Sequence, residues 1–279
     1  MQNNEYNSND INTEYSGYYD EILAINNNIG SRLWSRDYKA QKESGDKLAD
    51  QKALFKVDNV LGSKYKANTS TLLKGKKFTT NSYSMRDKEY ALQPKPNTTR
   101  IAMFGASPTV GSGVADEEVF ESIIENSMNE KYGSESFNIE ILNFAQSAID
   151  AFHHVHILED RAKQLKPEYA FYVSHCRPVT GFTKKLKRVF SRNNSLYPEL
   201  EEFVKENNIT LDILKEKEFD ESLGLKIADF SFKLLKEKCD KLGIKLVWVF
   251  VPPTNKEYFY EQYKALADKH GYEFRISCE

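Results

Sequence analysis

The apolar positions of this chain fall into short solid runs, separated by longer stretches in which they recur every three or four residues. The solid runs are "RIAMFG", "FNIEILNF", "EYAFYVS" and "IKLVWVFVPP", with "YEFRIS" as a shorter fifth. An uninterrupted segment such as "LVWVFV" suits a strand buried on both faces. Between the first two runs lies Asp116 to Tyr132, where Val119, Phe120, Ile123, Ile124 and Met128 recur at helical spacing. Asp116, Glu117 and Glu118 favour the N-terminal end of that helix. Further helices are expected over Ala151 to Leu165, Pro198 to Asn207, Phe219 to Leu242 and Lys256 to His270. Strands alternating with helices of this length predict right-handed crossovers and a mostly parallel sheet covered on both sides. The expected fold is a three-layer α/β/α, flavodoxin-like domain over residues 98–279, preceded by an N-terminal arm.

Upstream the pattern dissolves. Residues 1–20 are rich in Asn, Asp, Ser and Tyr and show no apolar period, so a disordered tail is expected. Residues 21–97 read as an arm packing on the core, with short helices first and extended segments from Tyr65 onward. The basic stretch "TKKLKRVFSRNNS" reads as a solvated loop or lid, placed to bear on substrate access or an acidic ligand.

Composition narrows the function classes. The 279 residues carry a formal net charge of −2, so no basic excess points to nucleic acid. No run of about eighteen apolar residues predicts a membrane span. The opening "MQNNEYNSND" has neither a basic nor an apolar leader region, which makes the cytoplasm the default expectation. Cys176, Cys239 and Cys278 are far apart and share no ligand spacing, so neither a disulfide framework nor a metal site is expected. His153, His154 and His156 open one helix without an accompanying set of carboxylates or thiolates, which favours capping or packing over metal binding.

Chemistry is concentrated at the predicted strand ends, where parallel sheets gather their sites. Three stretches meet there: "GASPTVGSG", "NFAQSAID" and "SHCRPVTGF". The first presents Ser107 on a glycine-rich turn, which fits a nucleophile, a phosphate loop or an ordinary strand–turn–helix corner. A phosphate loop of the G-x-x-x-x-G-K-[ST] type lacks its lysine here, and no G-x-G-x-x-G is present. A nucleophile needs a base and donors aimed at the developing oxyanion, one of which is available in the Ser107 N–H at the sheet rim. The turn is not a G-x-S-x-G elbow, since Pro108 and Thr109 follow the serine.

From Asn81 to Arg177 the chain resembles the SGNH/GDSL-type esterases. "NSYSMR" is similar to the family's N-s-x-G-x-R stretch. "RIAMFGASPTVGSGV" is similar to its strand, G-D-S and x-x-G-x-G-V. "IEILNFAQSAID" and "LKPEYAFYVSHC" are similar to the next two blocks. The resemblance implies a serine ester hydrolase without metal or cofactor, acting on a small-molecule or carbohydrate acyl ester. Position by position, it makes Ser107 the nucleophile and an oxyanion donor, and puts Ala148 where the family has the second donor, a glycine. Arg177 falls where the family has an asparagine donor, and Ala106 where it has the aspartate of G-D-S. The family's D-x-x-H, source of its base, would begin near Ser277 to Glu279, where the sequence stops. No D-x-x-H follows Pro253, so the chain is expected to be truncated or catalytically impaired. His175, at a predicted strand end, is the candidate substitute base. The alternative expectation is a pseudo-hydrolase that binds a glycan or acyl group.

Overall fold

The computed structural model describes residues 54–175, 178–192, 194–251 and 258–276, with their side chains except those of Val57, His175, Tyr258 and Phe259. Two antiparallel hairpins come first: β1 (Phe55–Asp58) with β2 (Gly62–Tyr65), and β3 (Thr69–Leu73) with β4 (Lys76–Thr80). Then come β5 (Thr98–Gly105), α1 (Phe120–Tyr132), β6 (Asn138–Asn143), α2 (Ala151–Asp160), β7 (Tyr169–His175) and α3 (Thr180–Ser191). The chain continues through α4 (Pro198–Glu206), α5 (Leu211–Glu216), α6 (Glu221–Lys241), β8 (Lys245–Val251), α7 (Tyr258–Lys269) and β9 (Glu273–Ile276). The last five strands form one sheet in the order β6-β5-β7-β8-β9, with every neighbouring pair parallel. The order steps outward from β5 in both directions, as in a doubly wound flavodoxin-like sheet. With helices packed on both faces, the fold is a three-layer α/β/α.

One face is sealed by aromatic packing. Trp248 of β8 is fully buried and stacks on Phe232 of α6 at 4.0 Å between ring centroids. Tyr172, Tyr263 and Tyr272 meet Trp248 edge-on. The indole N–H donates to Ser174 Oγ at 2.6 Å, so this apolar layer leaves its buried donor satisfied. The opposite face carries a smaller cluster of Met103, Ile139, Ile141 and Val173, against which Met128 of α1 packs.

Helix α1 follows the pattern that revealed it only at its two ends, where Val119 and Met128 pack inward. Phe120, Ile123 and Ile124 are 37%, 49% and 44% exposed, whereas Glu121 and Glu125 are buried. The reason lies in β6, which is an edge strand. Its amides at 139, 141 and 143 face away from β5 and need acceptors. Asn129 Oδ1 accepts from Ile139 N–H at 2.9 Å, Glu125 Oε2 from Ile141 N–H at 2.6 Å, and Asp87 Oδ2 from Asn143 N–H at 2.9 Å. Glu121 then meets the Asn143 side chain, Nδ2 to Oε1, at 3.4 Å. Four residues of helix rise about 6 Å and two residues of strand about 6.6 Å, so a polar i, i+4 row can track alternate strand amides.

Two expected elements differ in kind. The basic stretch after β7 is helix α3, not a loop, because Phe182, Leu186 and Val189 fall on one side and are buried. The helix expected to reach Leu165 stops at Asp160 and resumes as a 3-10 turn over Ala162–Leu165. Among the described residues no helix is long and apolar enough to cross a membrane.

Candidate active site

The carboxyl ends of β5 and β6 are roofed by the hairpins. Leu54, Tyr65, Leu73 and Phe78 form a small core with Val110 and Ala145, which belong to the loops leaving those two strands. The loop after β5 begins with a close approach: a Cβ on Gly105 would lie 2.1 Å from Thr109 Oγ1, so only glycine lets the chain fold back here. The loop then winds tightly, with Val110 N–H bonded to Ala106 O, Gly111 N–H to Pro108 O and Ser112 N–H to Ser107 O, each at 3.0 Å.

Arg86 fastens this loop from outside. It is 2% exposed, and its Nη1 donates to the carbonyls of Val110 and Gly111. Its Nη2 donates to Lys77 O at 2.8 Å and Val114 O at 2.7 Å, while Nε meets Asp116 Oδ1 at 3.1 Å. The guanidinium also lies 4.4 Å over the Phe78 ring. Asn143, fully buried at the end of β6, ties the two loops together. Its Nδ2 donates to Thr109 O at 3.2 Å and its Oδ1 accepts from Ala145 N–H at 3.1 Å. Sequence reasoning missed both residues. The available signal for Arg86 was an arginine inside the "NSYSMR" turn, where Asn81 Oδ1 accepts the amides of Tyr83 and Met85.

Ser107 follows the end of β5, but its side chain is not open to the rim: the residue is fully buried. This corrects the expectation of an accessible hydroxyl. The physical cause is the tight winding of the loop, the Arg86 clamp and the hairpin roof. A hollow between the ends of β5 and β7, lined by Ala106, Asp150, His154, Tyr172 and Ser174, measures about 30 Å³. That is room for one water.

Ala148 adopts the left-handed region, φ +64°, where the esterase pattern has glycine, and its N–H makes no hydrogen bond among the described residues. The Lys185 Nζ donates at 2.8 Å to the Ala148 carbonyl, which belongs to the following peptide unit. Ser84, at the glycine position of the N-s-x-G-x-R stretch, is left-handed as well, φ +62°. His175 closes β7 in register with Val251, and its side chain lies outside the described residues, as do Arg177, Cys176 and Cys278.

The α2 histidines are structural here. His153 Nδ1 accepts the Asp150 N–H at 3.2 Å in a capping arrangement, and burial first, then the field of Lys185, holds its pKa well below the usual imidazole value. His154 Nε2 sits 3.1 Å from both the N and O of Gly105, and burial pushes its pKa down to about 4. Both are buried rather than surface groups, and no metal-binding cluster occurs among the described residues.

No protein-family model matches the chain, and no curated protein matches it in sequence. Solved structures do show likeness. The psychrotrophic esterase EstA from Pseudoalteromonas sp. is 11% identical over 64% of this chain and 76% of its own, with a TM-score of 0.40. AlinE4, an SGNH-hydrolase family esterase, is 16% identical over 65% and 77%, with a TM-score of 0.37. A catalytic mutant of Axe2, an acetylxylan esterase from Geobacillus stearothermophilus, is 12% identical over 64% and 76%, with a TM-score of 0.38.

Proposed function

We propose that the chain is a serine ester hydrolase of the SGNH/GDSL type acting on an acyl or acetyl ester, with Ser107 as nucleophile. One observation carries the reading: a left-handed Ala148, whose N–H makes no hydrogen bond among the described residues, stands at the family's donor-glycine position, on the loop that Asn143 ties to the Ser107 loop. In this reading Ser107 Oγ attacks the acyl carbonyl and gives its proton to a base, for which His175 is the candidate. The N–H groups of Ser107 and Ala148, with Arg177 as a further donor, hold the negative charge on the carbonyl oxygen. The alcohol leaves with the proton, and water then attacks the acyl-enzyme and restores the serine.

A second reading, an impaired hydrolase kept as a glycan- or acyl-binding module, is favoured by the full burial of Ser107. A fluorophosphonate probe separates the two. Covalent labelling that maps to Ser107 and disappears in Ser107→Ala supports the hydrolase. With that variant, ester turnover should fall by about 10⁴–10⁶. Absence of labelling, with acyl-ester binding retained, supports the binding module.

A further inference from the structure

A cleft of about 330 Å³ opens between β4, the turn carrying Arg86, Asp87 and Lys88, and the first turns of α1. That is the share of liquid taken by on the order of ten waters, enough for a small organic molecule. Its lining carries five carboxylates and three cations. Two of each are matched: Arg86 with Asp116 at 3.1 Å, and Lys88 with Glu125. Lys77 and Glu117 are exposed to solvent. Asp87 and Glu121 are left, neither with an ion pair among the described residues.

Glu121 is the informative group. It is 1% exposed, and its Oε1 accepts from Ser122 Oγ at 3.0 Å and from Asn143 Nδ2 at 3.4 Å. Its Oε2 is buried with no hydrogen-bond partner among the described residues. One helical turn on, at i+4, Glu125 lines the same cleft with both oxygens engaged, one of them by the Lys88 ammonium. Of two buried carboxylates on one helix face, one therefore has its ammonium and the other does not. Asp87 adds to the demand, since its pKa is raised by burial and then by the charge of Glu121. A cation beside the pair offsets both the desolvation and the repulsion. A divalent metal ion suits the site poorly, because no group of three carboxylate, imidazole or thiolate ligands is placed to hold one among the described residues. An ammonium brings three N–H donors and is the chemistry Glu125 already uses.

We propose that this cleft binds a small organic molecule through its primary ammonium group, which donates to Glu121 Oε2 and to Asp87. The rest of the molecule lies along the cleft toward Ser122 and Asn126. The assignment is independent of the hydrolase reading. Ligand and proton compete for Glu121, whose pKa burial pushes up to about 7. The charged and titratable groups around it are Asp87, coupled to it by repulsion, Lys88 and Arg86, which lower its pKa, and Tyr90, whose phenol burial keeps protonated.

The test is titration calorimetry on the full chain with n-butylammonium, tetramethylammonium and n-butanol. Butylammonium should bind at pH 8. Tetramethylammonium, which has no N–H, and butanol, which has no charge, should each bind at least about tenfold more weakly. Glu121→Gln retains an acceptor for Ser122 and Asn143 and should weaken butylammonium binding about tenfold. Glu117→Gln, at an exposed position, should leave it within about twofold. Lowering the pH from 8 to 5.5 should weaken binding to wild type about thirtyfold, because Glu121 must give up its proton, and Glu121→Gln should flatten that slope. Carbon-13 NMR of the Glu121 carboxyl should show its pKa falling as butylammonium saturates the site. Equal butylammonium affinity in wild type and Glu121→Gln overturns the proposal, as does equal binding of butanol or tetramethylammonium. Absence of any butylammonium binding at tens of millimolar overturns it too, and displacement of butylammonium by equimolar Mg²⁺ replaces the ammonium assignment with an inorganic cation.

Discussion

Helices α6 and α1 both lie against the sheet, yet they bury opposite kinds of residue. Helix α6 turns Ile227, Ala228, Phe232, Leu235 and Cys239 inward. Helix α1 turns Glu121 and Glu125 inward and leaves Phe120, Ile123 and Ile124 at the surface. The difference follows from what each helix meets. Helix α6 covers the face of the sheet interior, where strand amides are already paired and only apolar area remains to be removed from water. Helix α1 runs beside edge strand β6, where it supplies the acceptors for two of three alternate outward amides, Asp87 serving the third. An unmade hydrogen bond on a buried donor costs about 1–3 kcal/mol, comparable to the gain from burying one aliphatic side chain. At an edge the polar face therefore wins.

The sharpest way to break this contrast is Glu125→Leu. Glu125 Oε2 accepts from Ile141 N–H at 2.6 Å and Tyr90 OH at 3.3 Å, and its Oε1 pairs with the Lys88 ammonium. Leucine fits a helix and adds apolar area, but it leaves the buried Ile141 N–H without an acceptor and takes the partner from the Lys88 ammonium. The Tyr90 hydroxyl, by contrast, keeps Asp87 Oδ1 and Ile141 O, each at 2.9 Å. A loss of about 3 kcal/mol is expected in urea denaturation, with faster amide exchange at Ile141. The matching polar-to-apolar change on α6 is Ser231→Ala, where the hydroxyl only returns a hydrogen bond to Ile227 O within its own helix. That change should cost less than about 1 kcal/mol. Equal costs would show that the two helices are held by the same forces after all.

This contrast also marks what the sequence made legible. Strands β5, β7 and β8, with α6, announce themselves, because continuous apolar runs and helical spacing translate directly into burial. The existence of α1 was legible from the same spacing; its orientation was not, since the demand for acceptors belongs to β6. Helix α3 was hidden because Phe182, Leu186 and Val189 are interleaved with lysines and arginines. At the site, the location of Ser107 at a strand end followed from the glycine-rich turn. Its burial did not, because the clamp and the roof come from Arg86 and the hairpins, far away in sequence. The left-handed conformation of Ala148 was foreshadowed only by the resemblance, as alanine itself gives no sign of it.

A middle-sized effect sharpens the comparison through pH. Glu121 is pushed up to about 7, chiefly by burial, and the neighbouring Asp87 is raised further by burial and then by Glu121. The native state thus holds a proton on Glu121 more tightly than the unfolded chain does. Its contribution to stability is present at low pH and is lost as pH climbs from about 4.5 to about 7. His154 leans the other way: buried neutral with a pKa of about 4, it loses its contribution as pH falls from 6.5 toward that value. Glu121→Gln keeps an acceptor for Ser122 and Asn143 and removes the charge. It should raise stability by about 1–3 kcal/mol at pH 8 and leave it nearly unchanged at pH 4. Melting temperatures recorded across that range test the slope, and a uniform shift at all pH values would remove Glu121 as its source.

The smallest expected effect lies at Ala148, which belongs to neither helix but to the loop between β6 and α2. Its left-handed φ of +64° costs an alanine about 1 kcal/mol, because the Cβ crowds the following carbonyl. Glycine removes that cost but gives the unfolded chain extra freedom worth about the same amount. Ala148→Gly should therefore change stability by less than about 0.5 kcal/mol. It should leave fluorophosphonate labelling of Ser107 as fast as in wild type or faster, since glycine keeps the N–H and adopts the left-handed conformation without strain. Ala148→Val keeps the N–H but brings a branched side chain into the same conformation, so stability should drop by more than about 1 kcal/mol and labelling should slow. If glycine slows labelling as much as valine does, the methyl group itself, packed against its neighbours at 7% exposure, is what sets the loop, and the N–H loses its special place.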